Sequence, residues 1–173
     1  MLPQQTAAEA AIAKAMKNYA AYNLWANTTL INWLRSKPGA LMDQEALSSF
    51  PSITATLEHI WKVQQYWFSV ISGRQYTPPE FRGAAADIFE LLIDQSAEMV
   101  EYISDMTATD LEGRYKVVNP WFECDLPRFE YLIQCMNHST YHRGQVVTIG
   151  RSLGFTDAPM TDYNYYNVFG QPS

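Results

Sequence analysis

Apolar residues recur at three- and four-residue steps through most of this chain, a period that commits it to amphipathic α-helices. Ile12, Met16, Tyr19, Asn23, Asn27, Leu30 and Leu34 trace one stripe through roughly residues 5 to 36, which Lys37-Pro38-Gly39 ends. A second stripe, Ile53, Leu57, Ile60, Gln64, Trp67 and Ile71, follows Phe50-Pro51-Ser52 and closes at Gly73. A third runs through Ile88, Leu91, Leu92, Gln95, Met99, Tyr102, Ile103 and Met106. The fourth is expected to start near Asp125 as N-cap, with Pro127 in its first turn. It carries Phe129, Leu132, Ile133, Met136, His142, Val146, Ile149 and Leu153 to Gly154. Four such helices predict an all-α four-helix bundle, whose sites are built from side chains on facing helices. The link from Ser72 to Gly83 could span ~33 Å when extended, about the length of a 20-residue helix, so helices two and three are free to run parallel. Tyr115–Val118 and Trp121–Cys124 flank Asn119-Pro120 and read either as a short hairpin or as a tight loop. The tail beyond Gly154 is aromatic (Phe155, Tyr163, Tyr165, Tyr166, Phe169) and is expected to pack across the helices.

The chemistry is concentrated in three histidines, the only ones in 173 residues. His138 and His142 are four apart, so a helix presents both imidazoles from one face. His59 lies in the second helix, in Thr56-Leu57-Glu58-His59-Ile60-Trp61. A lone histidine on an apolar face is more often a hydrogen-bonded core residue than a ligand. Here, however, Gln134, His138, Tyr141, His142 and Gln145 form a polar stripe on an otherwise apolar helix, and burying such groups without partners is costly. Three neutral imidazoles without a carboxylate leave a +2 ion uncompensated and at least one position open, the pattern of a catalytic rather than a structural zinc site. Imidazole also suits nickel, copper and iron. Gln145, Gln134, Asn23 and Asn27 are candidates to hold the other imidazole nitrogens. Cys135 falls near the same face as a possible fourth ligand, but core packing is the preferred reading. The HExxH pattern of a metalloprotease is excluded, because Ser139 stands where the general base would be. Gly144 and Gly150 inside the helix suggest close approach by a helix, subunit or ligand.

Composition bounds the function. A length of 173 residues suits one domain spanning 1–173 with a real core. The net charge of −6 and the lack of a basic stripe argue against a nucleic-acid partner. No segment approaches the ~20 apolar residues a membrane span needs. Met1–Thr6 has no basic n-region, and Cys124 and Cys135 form neither a CxxC pair nor a disulfide framework, so a cytoplasmic protein is expected.

Tyr22-Asn23-Leu24-Trp25-Ala26-Asn27, the Ser52–Trp61 segment with His59, and His138-Ser139-Thr140-Tyr141-His142-Arg143-Gly144-Gln145 together resemble the DinB/YfiT-like family over nearly the whole chain. The resemblance implies up-down-down-up topology, often a homodimer, and zinc or nickel held by His59, His138 and His142. Similar proteins include thiol S-transferases that use bacillithiol, and more distant ones use mycothiol or glutathione. The leading expectation is therefore a metal-dependent enzyme of small-thiol transfer or detoxification. A metal hydrolase and a non-catalytic metal-binding dimer are the rivals. Arg143 and Arg151, on the helix of the ligands, are candidates to hold a carboxylate of the thiol cofactor, or else are solvent-exposed charges.

Overall fold

The structure, a computed structural model, describes residues 7–171. The expected start of the first helix near residue 5, and the Met1–Thr6 segment, lie outside them. The chain is mostly helical, and four long helices carry the core. These are α1 (Ala7–Arg35), α2 (Ile53–Ser72), α3 (Ala85–Ser104) and α5 (Arg128–Ser152). Helix α1 packs on α3 and α5, and α2 packs on α5 and α3, so each long helix has two long neighbours. No described helix is long and apolar enough to cross a membrane.

Local chemistry sets the helix ends. After α1, Pro38 cannot donate to the ladder and biases Lys37 out of the helical region, so the chain turns through Gly39–Leu41. Helix α2 begins where Ser52 Oγ accepts the Ala55 N–H at 3.1 Å, and stops at Gly73, whose φ of 69° suits glycine. Between α3 and α5 lies a short helix that the periodicity does not reveal, α4 (Ala108–Glu112). Thr107 Oγ1 accepts the Asp110 N–H while the Asp110 carboxylate accepts the Thr107 N–H, a reciprocal cap. The third stripe accordingly ends as helix at Ser104, and Met106 is buried from the connection instead.

Of the two readings for residues 115–124, the hairpin is found. Strands β1 (Arg114–Val118) and β2 (Glu123–Pro127) pair antiparallel from Arg114↔Pro127 to Val118↔Glu123. Asn119 Oδ1 accepts the N–H groups of Trp121 and Phe122, holding the connection closed. The hairpin also corrects the start of the last long helix. Asp125 is paired with Lys116 in the ladder and is not an N-cap, and α5 opens only after extended Pro127. The pairing of five residues outweighs one residue's capping preference.

Two large apolar clusters fill most of the interior, and a small third one joins Tyr22, Ala26 and Tyr166. One of the large clusters surrounds Phe68, Met99, Ile103, Leu132 and Met136, and the other Leu30, Ile53, Ile60, Ile88 and Val146. Buried polar side chains also run through the interior. Asn23 Nδ2 donates to Gln64 Oε1 (2.9 Å), and Asn27 Nδ2 and Gln64 Nε2 donate to Ser96 Oγ (3.0 and 3.1 Å). Two stripe residues point outward against expectation. Leu91 and Ile133 are exposed, while Phe89, one turn register away from Leu92, is buried. The aromatic tail crosses α1 as expected. Tyr163 meets Tyr22 edge-on at 5.1 Å and Tyr166 lies 5.4 Å from Trp25, in α6 (Tyr163–Tyr165) and the turn Tyr166–Gly170.

The two α5 glycines differ. A Cβ on Gly150 would come 2.7 Å from Trp33 Cη2 and 3.1 Å from Phe155 Cδ2, so close approach is real there. A Cβ on Gly144 would meet nothing within 4 Å, so no part of the chain itself approaches closely at that position. Gly144→Ala is therefore expected to stabilise by about 1 kcal/mol. Gly150→Ala, by overpacking two core rings, should destabilise by about 1–3 kcal/mol. Urea unfolding of the two variants checks both signs.

Candidate metal centre

The three histidines meet. His59 from α2 and His138 and His142 from α5 bring ligand atoms within 4.8 Å of one another. His59 Nε2 lies 3.2 Å from His138 Nε2, and His142 Nε2 lies 3.1 Å from the same atom. One imidazole nitrogen carries either a lone pair or a proton and cannot make two linear hydrogen bonds to two other rings. A shared cation suits the arrangement better. Four ligands at ~2.05 Å around a tetrahedral ion stand ~3.3 Å apart, close to both separations.

Protonation favours the same reading. Partial burial, with the neighbouring His142 second, lowers the His59 pKa to about 4. Burial, with His142 and His59 following, lowers that of His138 to about 4. Both are neutral at pH 7 with nitrogen lone pairs free for a metal. The neutral rings are favoured in the fold, so the unfolded chain, titrating near the ordinary value of ~6.5, takes up their protons first. Stability of metal-free protein is thus fully present above that value and is expected to fall as pH drops through the window down to about 4. Urea midpoints of chelator-treated protein at pH 7 and pH 4.5 check it, with the His59→Asn variant losing less over the same interval.

The surroundings orient the rings. His142 Nδ1 lies 2.7 Å from Gln145 Oε1, which assigns the proton to Nδ1 and leaves Nε2 for a metal. Gln145 Nε2 in turn donates to Ser49 Oγ at 2.9 Å. Phe50 from the same loop stacks on His59 with centroids 4.2 Å apart and meets His142 edge-on at 5.6 Å. Ser49 and Phe50 escape sequence reasoning because no spacing or residue type marks a loop that folds back over a site. The remaining nitrogen, His138 Nδ1, is buried and without a partner among the described residues.

The other expected neighbours lie elsewhere. Asn23 and Asn27 bond the interior network and Arg143, not the imidazoles. Gln134 is exposed and lines a hollow toward the hairpin with Trp67 and Phe122. Cys135 is buried in the core, where desolvation pushes its thiol up to about 12, and it is not among the clustered ligands. Arg143 is not a surface charge. It is 2% exposed, and its Nη atoms donate to Asn23 Oδ1, Asn27 Oδ1, Tyr22 Oη and Thr140 Oγ1. Arg143 and exposed Arg151 do border one groove, but it opens on another side of α5. At about 100° per residue, Thr140, Val147 and Arg151 lie roughly half a turn around the helix from His138 and His142. A carboxylate held there would lie across the helix from the imidazoles.

A helical protein with three convergent imidazoles on facing helices is thereby defined. The profile of the DinB family matches residues 8–170, and the chain belongs to that family. It is 31% identical over 161 residues to "Protein DinB" of Bacillus subtilis (strain 168), covering 84% of this chain and 89% of that protein. A crystal structure of a DinB-like protein from Bacillus cereus ATCC 10987 superposes with a TM-score of 0.65. It is 19% identical and covers 81% of this chain and 91% of that one, a likeness of fold.

Proposed function

We propose that the protein binds one divalent metal, zinc or nickel, through His59, His138 and His142 and catalyses transfer of a small thiol to an electrophile. The observation that carries this reading is the convergence of three Nε2 atoms, with no carboxylate or thiolate joining them among the described residues. When bound, the metal would supply positive charge that holds a thiol as thiolate at neutral pH. The chain's own residues prepare that event. Gln145 fixes the His142 tautomer, and Phe50 covers one side of His59 with an apolar ring, favouring sulfur over water beside it. A metal hydrolase would use the same three imidazoles with water in place of the thiol, and among the described residues no carboxylate joins their cluster to serve as its base. The long helices are assigned up-down-down-up bundle topology, and the working form is a homodimer using some of the exposed apolar surface, such as Val118, Trp121 and Phe122. Sedimentation at micromolar concentration is expected to give twice the monomer mass.

The decisive experiment incubates zinc- or nickel-loaded protein with several low-molecular-weight thiols and monobromobimane. Metal-dependent appearance of the thioether, with bromide released, supports the assignment. Turnover of esters or amides with no thiol conjugation moves it to the hydrolase. Titrating a cobalt-loaded sample with the same thiols gives a second readout, a sulfur-to-cobalt charge-transfer band.

A further inference from the structure

Arg143 presents an unusual electrostatic problem. Its guanidinium is buried, yet all four of its hydrogen-bond partners are neutral oxygens, from Asn23, Asn27, Tyr22 and Thr140. No ion pair among the described residues includes it, and its Nε has no hydrogen-bond partner among them. Neutral acceptors satisfy a guanidinium's donors but leave its net charge uncompensated, and interior charges are ordinarily paired. Arg151, two turns further along α5, is exposed and likewise forms no ion pair among the described residues.

Both arginines border the same groove, which encloses about 530 Å³. One wall is α5, with Thr140, Val147 and Thr148, and the other is the segment from Ala158 to Asp162. Tyr22 ties the two together, since its Oη accepts from Arg143 Nη2 at 3.3 Å and donates to the Thr161 carbonyl at 2.9 Å. Gly144 lies on the α5 wall, and a Cβ there would find open space, so the wall is bare at that position. Asp162 also borders the groove but is paired with neither arginine. We infer that this groove is a binding site for a small anion, a carboxylate or phosphate group that docks against Arg151 and lies in the uncompensated field of Arg143. It is a site separate from the three imidazoles, on the order of 10 Å away across the thickness of α5. The proposal does not depend on metal binding.

The test uses the full chain, titrated with inorganic phosphate and separately with succinate, at an ionic strength held constant with sodium chloride. Melting temperature and amide NMR shifts are followed. Saturable binding is expected, with shifts at Thr140, Thr148 and residues 158–162; which of the two anions binds more tightly distinguishes phosphate from carboxylate recognition. Arg151→Gln should weaken it about tenfold, the scale of one charge-assisted contact. Gly144→Leu, which places a side chain in the groove from an exposed helix position, should abolish it. His138→Ala should leave it intact. Absence of a saturable response beyond sodium chloride overturns the inference. So does a response lost in His138→Ala and kept in both groove variants, because the anion is then at the imidazole centre. Failure of thiol conjugation leaves this readout untouched, so the two proposals fall separately.

Discussion

His138→Ala and His142→Ala are each expected to reduce metal content from one ion per chain to near zero, with the fold retained. His138 Nε2 stands between the other two nitrogens, at 3.2 and 3.1 Å, so its loss leaves two imidazoles with no shared ligand between them. His142 is the ring with its tautomer fixed, by Gln145. Two neutral donors brought from separate helices, all that either variant keeps, do not hold zinc or nickel against water at micromolar concentration. His59→Ala should weaken binding less completely, because both remaining ligands come from one helix and keep their relative placement. Gln145→Ala removes an orienting contact and should cost about 10–100-fold in affinity. Cys135→Ser should retain the ion, since that thiol is in the core. Elemental analysis after gel filtration reads all five variants. Full occupancy in His138→Ala would sink the site.

How much of this site is legible in the sequence depends on whether the signal is local. The His138–His142 pair is readable because helix geometry alone places four-apart residues on one face. Its meeting with His59 needs the packing of α2 on α5, which periodicity suggests but cannot register. Phe50 and Ser49 reach the site through a loop, and nothing local marks them. The inward asparagines are the instructive misreading. Periodicity shows that Asn23 and Asn27 face inward, but an inward polar residue serves whichever partner the fold supplies, and here that is Gln64, Ser96 and Arg143. The hairpin stays open in the sequence because Asn119-Pro120 suits a turn with or without paired strands. Helix α4, by contrast, carried a readable signal in Thr107 and Asp110, three apart at a helix start.

Arg143→Met should destabilise the protein by about 2–5 kcal/mol, the largest stability effect of any single change considered. Deleting the guanidinium takes the Arg143 donors from Asn23 Oδ1 and Asn27 Oδ1, both on residues essentially without exposure. Each buried acceptor left unsatisfied costs about 1–3 kcal/mol. Opposing this, methionine no longer has to desolvate a charge that pairs with no carboxylate among the described residues, and that relief keeps the loss below the simple sum. Arg143→Lys restores the charge but not the fork that reaches Asn23 and Asn27 together at 2.8 Å, so it should recover only part. Adding Asn23→Leu to Arg143→Met removes one orphaned acceptor, but it also removes the Asn23 donor to Gln64. Rescue on that background would mean the cost lies chiefly at Asn23 Oδ1. Urea unfolding of the four proteins measures these terms. A loss under about 1 kcal/mol in Arg143→Met would show that the asparagine oxygens find other donors. Metal content should be unchanged throughout, because Arg143 touches none of the three imidazoles even though it adjoins His142 in sequence.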